Sequence, residues 1–149
     1  MTEILFYHLH GQKLEGVLPT LLEKSLERGW KVIVQGASEE RIEALDAHLW
    51  TYRDDGFLPH GTVKDGHAAA QPVWLTTDGD NPNQAHVRFL ADGAEVADYG
   101  AYQRVVRLFD GNDPDAVDRA REAWKAAKAA GHDATYWQQS ENGRWEKKA

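Results

Sequence analysis

Seven histidines and several paired carboxylates are the side chains that could do catalytic or metal chemistry in this sequence. His8 and His10 lie two apart in EILFYHLHG, so on a strand they share a face and could ligate one metal ion. The sequence fixes no acidic residue or third histidine beside them, so the simpler expectation is a strand end that frays into solvent. His60 follows Pro59 and could act as a base or ligand, but a loop hydrogen bond is the plainer role. Asp54-Asp55 and Asp78/Asp80 are flanked by turn residues, which makes them solvated loop carboxylates. The first strand–helix junction, HLHGQKLEG, contains neither G-x-G-x-x-G nor G-x-x-x-x-G-K-[ST], so the glycines that let phosphate approach a backbone are missing. The single glycine of Gln35-Gly36-Ala37-Ser38 fits turn geometry. No G-x-S-x-G or H-E-x-x-H pattern occurs. These residues imply no active site, no metal site and no cofactor.

A binding surface is better supported. In Ala116–Ala130, Ala116, Ala120, Ala123, Ala127 and Ala130 fall on one side at helical spacing, and small residues let a helix lie close on a sheet. Arg121, Lys125 and Lys128 form a basic stripe elsewhere on the cylinder, and Val117 and Trp124 fall between the two. In an acidic chain that combination is a compact mixed site, with apolar area for affinity and cations that select an acidic partner. A solvated helix face with Trp124 tucked over the sheet edge is the equally weighted alternative.

A second aromatic-rich stretch is Leu45–Gly61, LDAHLWTYRDDGFLPHG. Ile42, Leu45 and Leu49 continue a helix, Asp54-Asp55-Gly56 breaks it, and Pro59 bars any renewed helix. Trp50, Tyr52 and Phe57 are therefore either loop anchors or partner surface.

The elements that must position these groups are legible from periodicity. Strands are expected at Ile4–Leu9, Lys31–Gln35, Pro72–Thr77, His86–Leu90 and Arg104–Phe109. Helices are expected at Lys13–Arg28, where Pro19 implies a late start or a kink, at Glu39–Leu49 capped by Ser38, and at Ala116–Ala130 behind Asp113-Pro114. Thr62–Gln71 and the turn-dense DGDNPNQ at Asp78–Gln84 read as loops. ATYWQQ and RWEKK around Asn142-Gly143 read as a C-terminal hairpin. Strands alternating with helices at these intervals imply a single three-layer α/β/α domain, Rossmann-like, with a mostly parallel sheet of about five strands plus the hairpin. The expected domain spans 1–149, with a core at 1–132 and the hairpin or tail at 133–149.

Bulk properties narrow the partners. A net charge of −7 argues against strong direct nucleic-acid binding, which needs a broad basic surface. The absence of cysteine excludes disulfides and thiolate metal sites and fits a reducing compartment. No run approaches the roughly 18 apolar residues of a membrane span, and Glu3 precedes the first apolar run, so neither a membrane nor a secretory signal is expected. The chain reads as soluble and cytoplasmic.

The block LDxxLWxxxxxxFLPHG, with EILFYHL, LLEK…RGWKVIV, PVWLT, RVVRLFDG and AREAWKAAKAAG, resembles the chi subunit of bacterial DNA polymerase III over essentially the whole chain. The resemblance implies a non-catalytic accessory protein of the clamp-loader complex. It further implies binding to the acidic C-terminal tail of single-stranded-DNA-binding protein, which ends in a Pro-Phe carboxylate, and to the psi subunit where present. The matching residues are Trp50, Phe57, Phe109, Arg121, Trp124, Lys125 and Lys128, with Val117 beside them on the helix. Trp124 stands where Tyr is expected and Lys128 where Arg is common, which can alter a bidentate carboxylate contact. The competing class is a nucleotide-binding or enzymatic doubly wound protein, with its ligand at the carboxyl ends of the strands. A structural subunit whose Trp-rich surfaces only hold another protein is a third reading.

Overall fold

β-Branched and aromatic runs form strands β1 (Glu3–Leu9), β2 (Val32–Gln35), β3 (Val73–Thr76), β4 (Val87–Ala91) and β5 (Arg104–Asp110). The computed structural model describes residues 2–10, 13–52, 58–96, 99–140, 142 and 144–148. Three helices alternate with the strands: α1 (Leu14–Glu27), α2 (Glu39–Thr51) and α3 (Pro114–Ala129). The tail supplies β6 (Asp133–Gln139) and β7 (Trp145–Lys147), antiparallel to each other as expected of a hairpin. Gly143 of the Asn-Gly turn and the Asp54-Asp55-Gly56 break lie outside the described residues.

The five expected strands and both hairpin strands join one sheet in the order β3-β2-β4-β5-β1-β6-β7. Every neighbouring pair from β3 to β6 is parallel. β6 therefore belongs to the parallel sheet beside β1, with Phe6 opposite Tyr136 and His8 opposite Gln138. The strand alternation divides the core in two. Leu5, Leu9, Val32, Val34, Val106 and Leu108 face α1 and α2, where they meet Leu18, Leu22, Ile42, Leu45 and Leu49. Ile4, Phe6, Ile33, Val105 and Phe109 face the opposite way and meet Ala120 and Ala127 of α3. A three-layer α/β/α arrangement results.

Two local expectations change. α1 starts at Leu14, so Pro19 does not delay it; the proline ring is buried inside the helix. Its missing N–H removes the i→i+4 partner of the Glu15 carbonyl, in the first turn of the helix. β1 also does not fray at His8. It stays paired with β5 through Leu9 and with β6 through His8. The caps follow the sequence: the Ser38 hydroxyl accepts from the Arg41 amide at 3.2 Å, and Asp113 accepts from the Asp115 amide at 3.0 Å with Pro114 in the first helical turn.

The turn-dense 78–84 loop is held from below by Arg88, whose side chain is 0% exposed. Its Nη1 donates to the Asp80 carbonyl at 2.8 Å and to the Tyr102 hydroxyl at 2.9 Å, and Nη2 donates to the Asp78 carbonyl at 2.5 Å. Nε and Nη2 also reach Gln35 Oε1 at 2.9 and 2.7 Å. The buried guanidinium is thus satisfied by neutral oxygens. We expect Arg88→Leu to destabilise the fold by about 3 kcal/mol, because it strands several buried acceptors at once. Urea unfolding measures this, and a loss under about 1 kcal/mol contradicts the arrangement.

Candidate functional site

The alanine face of α3 determines which of its residues remain at the surface. Taking 100° per residue, Trp124, Val117, Lys128, Arg121 and Lys125 follow one another over an arc of about 100° beginning beside the buried Ala120. Val117 and Trp124 are half-buried and the three cations are exposed, as the helical pattern predicts. Lys128 lies with its ammonium 4.8 Å from the Trp124 ring centre, a cation–π contact. Lys125 reaches Glu122 at 3.5 Å, but both side chains are largely in water, so that pair is weak. Among the described residues, Arg121 makes no ion pair.

Beneath the arc runs a seam of rings from β1, β5 and β6. Trp124 meets Phe6 edge-on at 5.6 Å and Tyr136 at 6.1 Å. Phe6 stacks with Tyr136 at 6.3 Å. His8 closes the series against Phe109 at 5.3 Å and Tyr136 at 6.0 Å. Phe109 is only 7% exposed, so it supports the other rings from below. Phe109 and Trp124 are residues expected here from the sequence, whereas Phe6, His8 and Tyr136 are not. Strand alternation puts Phe6 and His8 on one face; the pairing of Tyr136 with that face needed the position of β6, which no local pattern states.

His8 is built into the seam by two contacts. Its Nδ1 lies 2.8 Å from the Tyr136 hydroxyl. Its opposite edge lies against Gly111, where any Cβ would overlap the imidazole ring. Partial burial holds the His8 pKa below its ordinary value, with His10 and Arg121 pushing the same way and Asp110 opposing them. Burial raises the Tyr136 pKa, with Arg121 opposing, so the phenol stays protonated and neutral. Among the described residues no cluster of three metal-ligating side chains occurs, at His8 and His10 or elsewhere. The His10 amide donates to Gln139 Oε1 at 3.1 Å.

Trp50 is not brought to this surface. It stands on α2, against the opposite face of the sheet, 52% exposed and with its ring 4.7 Å from that of His60. His60 is buried. Its Nδ1 lies 2.6 Å from the Leu58 carbonyl, and its Nε2 approaches Asp46 Oδ1 to 3.0 Å off the hydrogen-bond direction. It therefore ties the segment after α2 back to that helix. Phe57 lies outside the described residues. Trp50 and Trp124 cannot wall a single slot, because the sheet separates them.

A doubly wound fold places ligands where neighbouring strands send their chains to opposite faces. Here that point is β1, which leads to α1, beside β5, which leads to α3. A crevice of about 510 Å³ opens there, lined by Leu9, Lys13, Glu15, Arg41, Asp92 and Asp110 among others. Arg41 is already bound to Glu15 and, at 2.6 Å, to Asp92. Three carboxylates around two cations make a poor phosphate site. Gly36 is a packing position, since a Cβ there would sit 3.0 Å from Ile42 Cδ1.

The family model described as DNA polymerase III chi subunit, HolC, matches residues 1–135. A similar protein from Rickettsia prowazekii (strain Madrid E), "Probable DNA polymerase III subunit chi", is 27% identical over 109 residues. That stretch covers 73% of this chain and 66% of that relative's length. No helix among the described residues is long and apolar enough to cross a membrane.

Gly111 offers a direct check on the seam. Gly111→Ala should displace the His8 ring and destabilise the protein by about 1–3 kcal/mol through overpacking. Unchanged stability in thermal unfolding contradicts the close approach.

Proposed function

The chain belongs to the DNA polymerase III chi subunit family, and from that premise we propose that it is a non-catalytic accessory subunit of the replicase clamp-loader complex. It binds the acidic C-terminal tail of single-stranded-DNA-binding protein and so links the replicase to coated template in the cytoplasm. The observation that carries this reading is the α3 arc, where Arg121, Lys125 and Lys128 surround Trp124 over a floor of rings in a chain of net charge −7. A peptide ending in Pro-Phe needs an apolar seat for its ring and cations for its carboxylates. Val117, Trp124 and Tyr136 supply the first and the three basic side chains the second. Phe109 supports the seat from below.

The net charge also disfavours strong direct binding to nucleic acid phosphates. The crowded carboxylates at the strand switch point count against the nucleotide-binding alternative. Trp50 and Val63 are the large hydrophobics exposed on the described surface outside this arc. Since α2 lies across the sheet from α3, a psi subunit, where one exists, can dock on that side while the peptide is held on the other.

Calorimetric titration with an acidic peptide ending in Pro-Phe tests the proposal. Trp124→Ala should weaken binding by about tenfold or more, as loss of an aromatic anchor does. Lys125→Glu should nearly abolish binding while leaving the circular dichroism unchanged, because its side chain stands in solvent. Affinity should fall as salt is raised, since screening acts over about 8–10 Å. A wild-type protein that ignores the peptide at low salt, or that ATP or NAD stabilises instead, removes this reading.

A further inference from the structure

The basic–aromatic patch contains one titratable ring that the arc of permanent cations does not need. His8 lies at the end of the seam, fixed between Phe109, Tyr136 and Gly111. We infer that the His8–Tyr136 pair is a further specificity element of this site, which takes up a proton when an acidic peptide binds and thereby favours the most acidic guest. The inference rests on the peptide reading above and deepens it. Tyr136 lies one residue beyond the family match, so the tyrosine half of this pair comes from the C-terminal hairpin.

The chemistry follows from one hydrogen bond. While His8 is neutral, the protonated phenol of Tyr136 can donate to the bare Nδ1 across their 2.8 Å contact. When Nδ1 takes a proton, it becomes the donor and the tyrosine oxygen the acceptor. The phenolic hydrogen is then released to point at a carboxylate of the guest. One proton therefore adds both a cation and an outward donor to the patch.

Burial is the first cause that disfavours protonation of His8 in the free protein, and the charged groups around it modulate that effect. His10 on β1 and Arg121 on α3 oppose its protonation, Asp110 at the end of β5 favours it, and Tyr136 on β6 is neutral. Arg107, also on β5, is committed to Glu95 at 2.7 Å and to the Tyr99 hydroxyl. In the free protein the balance keeps His8 below its ordinary range. A bound acidic chain offsets Arg121 and His10, so the His8 pKa rises on binding. Affinity must then increase as pH falls through that range, until the carboxylates of the peptide begin to protonate.

Calorimetry of the full chain with the acidic Pro-Phe peptide at pH 7.5 and 5.5, in buffers of different ionisation enthalpy, reads both affinity and proton uptake. Wild type should bind several-fold more tightly at pH 5.5, a one-unit rise in the His8 pKa setting a ceiling of about tenfold, with net proton uptake. His8→Gln should lose most of that pH dependence. Tyr136→Phe, which keeps the ring, should lose more affinity at pH 5.5 than at 7.5; a purely structural hydroxyl would cost the same at both. Equal pH dependence in His8→Gln and wild type, or no proton uptake by wild type, overturns the inference while leaving the peptide site standing. Absence of binding at both pH values removes the peptide reading itself.

Discussion

The close approach of α3 to the sheet sets where every ring of the seam can lie. Ala120 and Ala127 occupy its buried positions, so no bulky side chain holds the helix away from β1, β5 and β6. That proximity brings Trp124 into edge contact with Phe6 and Tyr136 and leaves its outer edge beside Lys128. Larger residues on the alanine face would lift the helix and open a gap under Trp124. The ring would then be a loose surface group, without the fixed geometry that selective binding needs.

Electrostatics adds selectivity to this packing. Several cations outside the α3 arc are engaged within the protein: Arg88 with backbone and amide oxygens, Arg107 with Glu95, Arg41 with Glu15 and Asp92, and Arg104 with Glu3. Arg121, Lys125 and Lys128 stand in water on one face of an acidic molecule. On the proposed function, long-range repulsion from the remainder of the surface would discourage polyanions while the local arc attracts a short acidic segment. On that proposal, selectivity for a peptide over nucleic acid rests first on this contrast.

The parts of this structure that were legible in the sequence are those set by local pattern. Periodicity located strands β1 to β5, the three helices and the arc on α3, and cap residues located the helix starts at Glu39 and Pro114. Contacts between distant segments were not legible. Arg88 reads as an ordinary strand residue until the carbonyls of Asp78 and Asp80 fold over it. His8 looked like a fraying end because its stabilising partner, Tyr136, lies 128 residues away. The Asn-Gly dipeptide announced the final turn, but nothing in it says that β6 inserts beside β1. Trp50 was grouped with Trp124 by resemblance, and only the side of the sheet taken by α2 separates them.

The proposed function requires that acidic peptide be held on the α3 side of the sheet. The six tryptophans give it a direct readout through their indole N–H resonances in a 15N-labelled sample, assigned by single Trp→Phe variants. On titration with the acidic Pro-Phe peptide, the Trp124 resonance should shift and saturate with the binding isotherm, while Trp50 on the opposite face stays in place. A shift confined to Trp50, with Trp124 unmoved, would contradict the account.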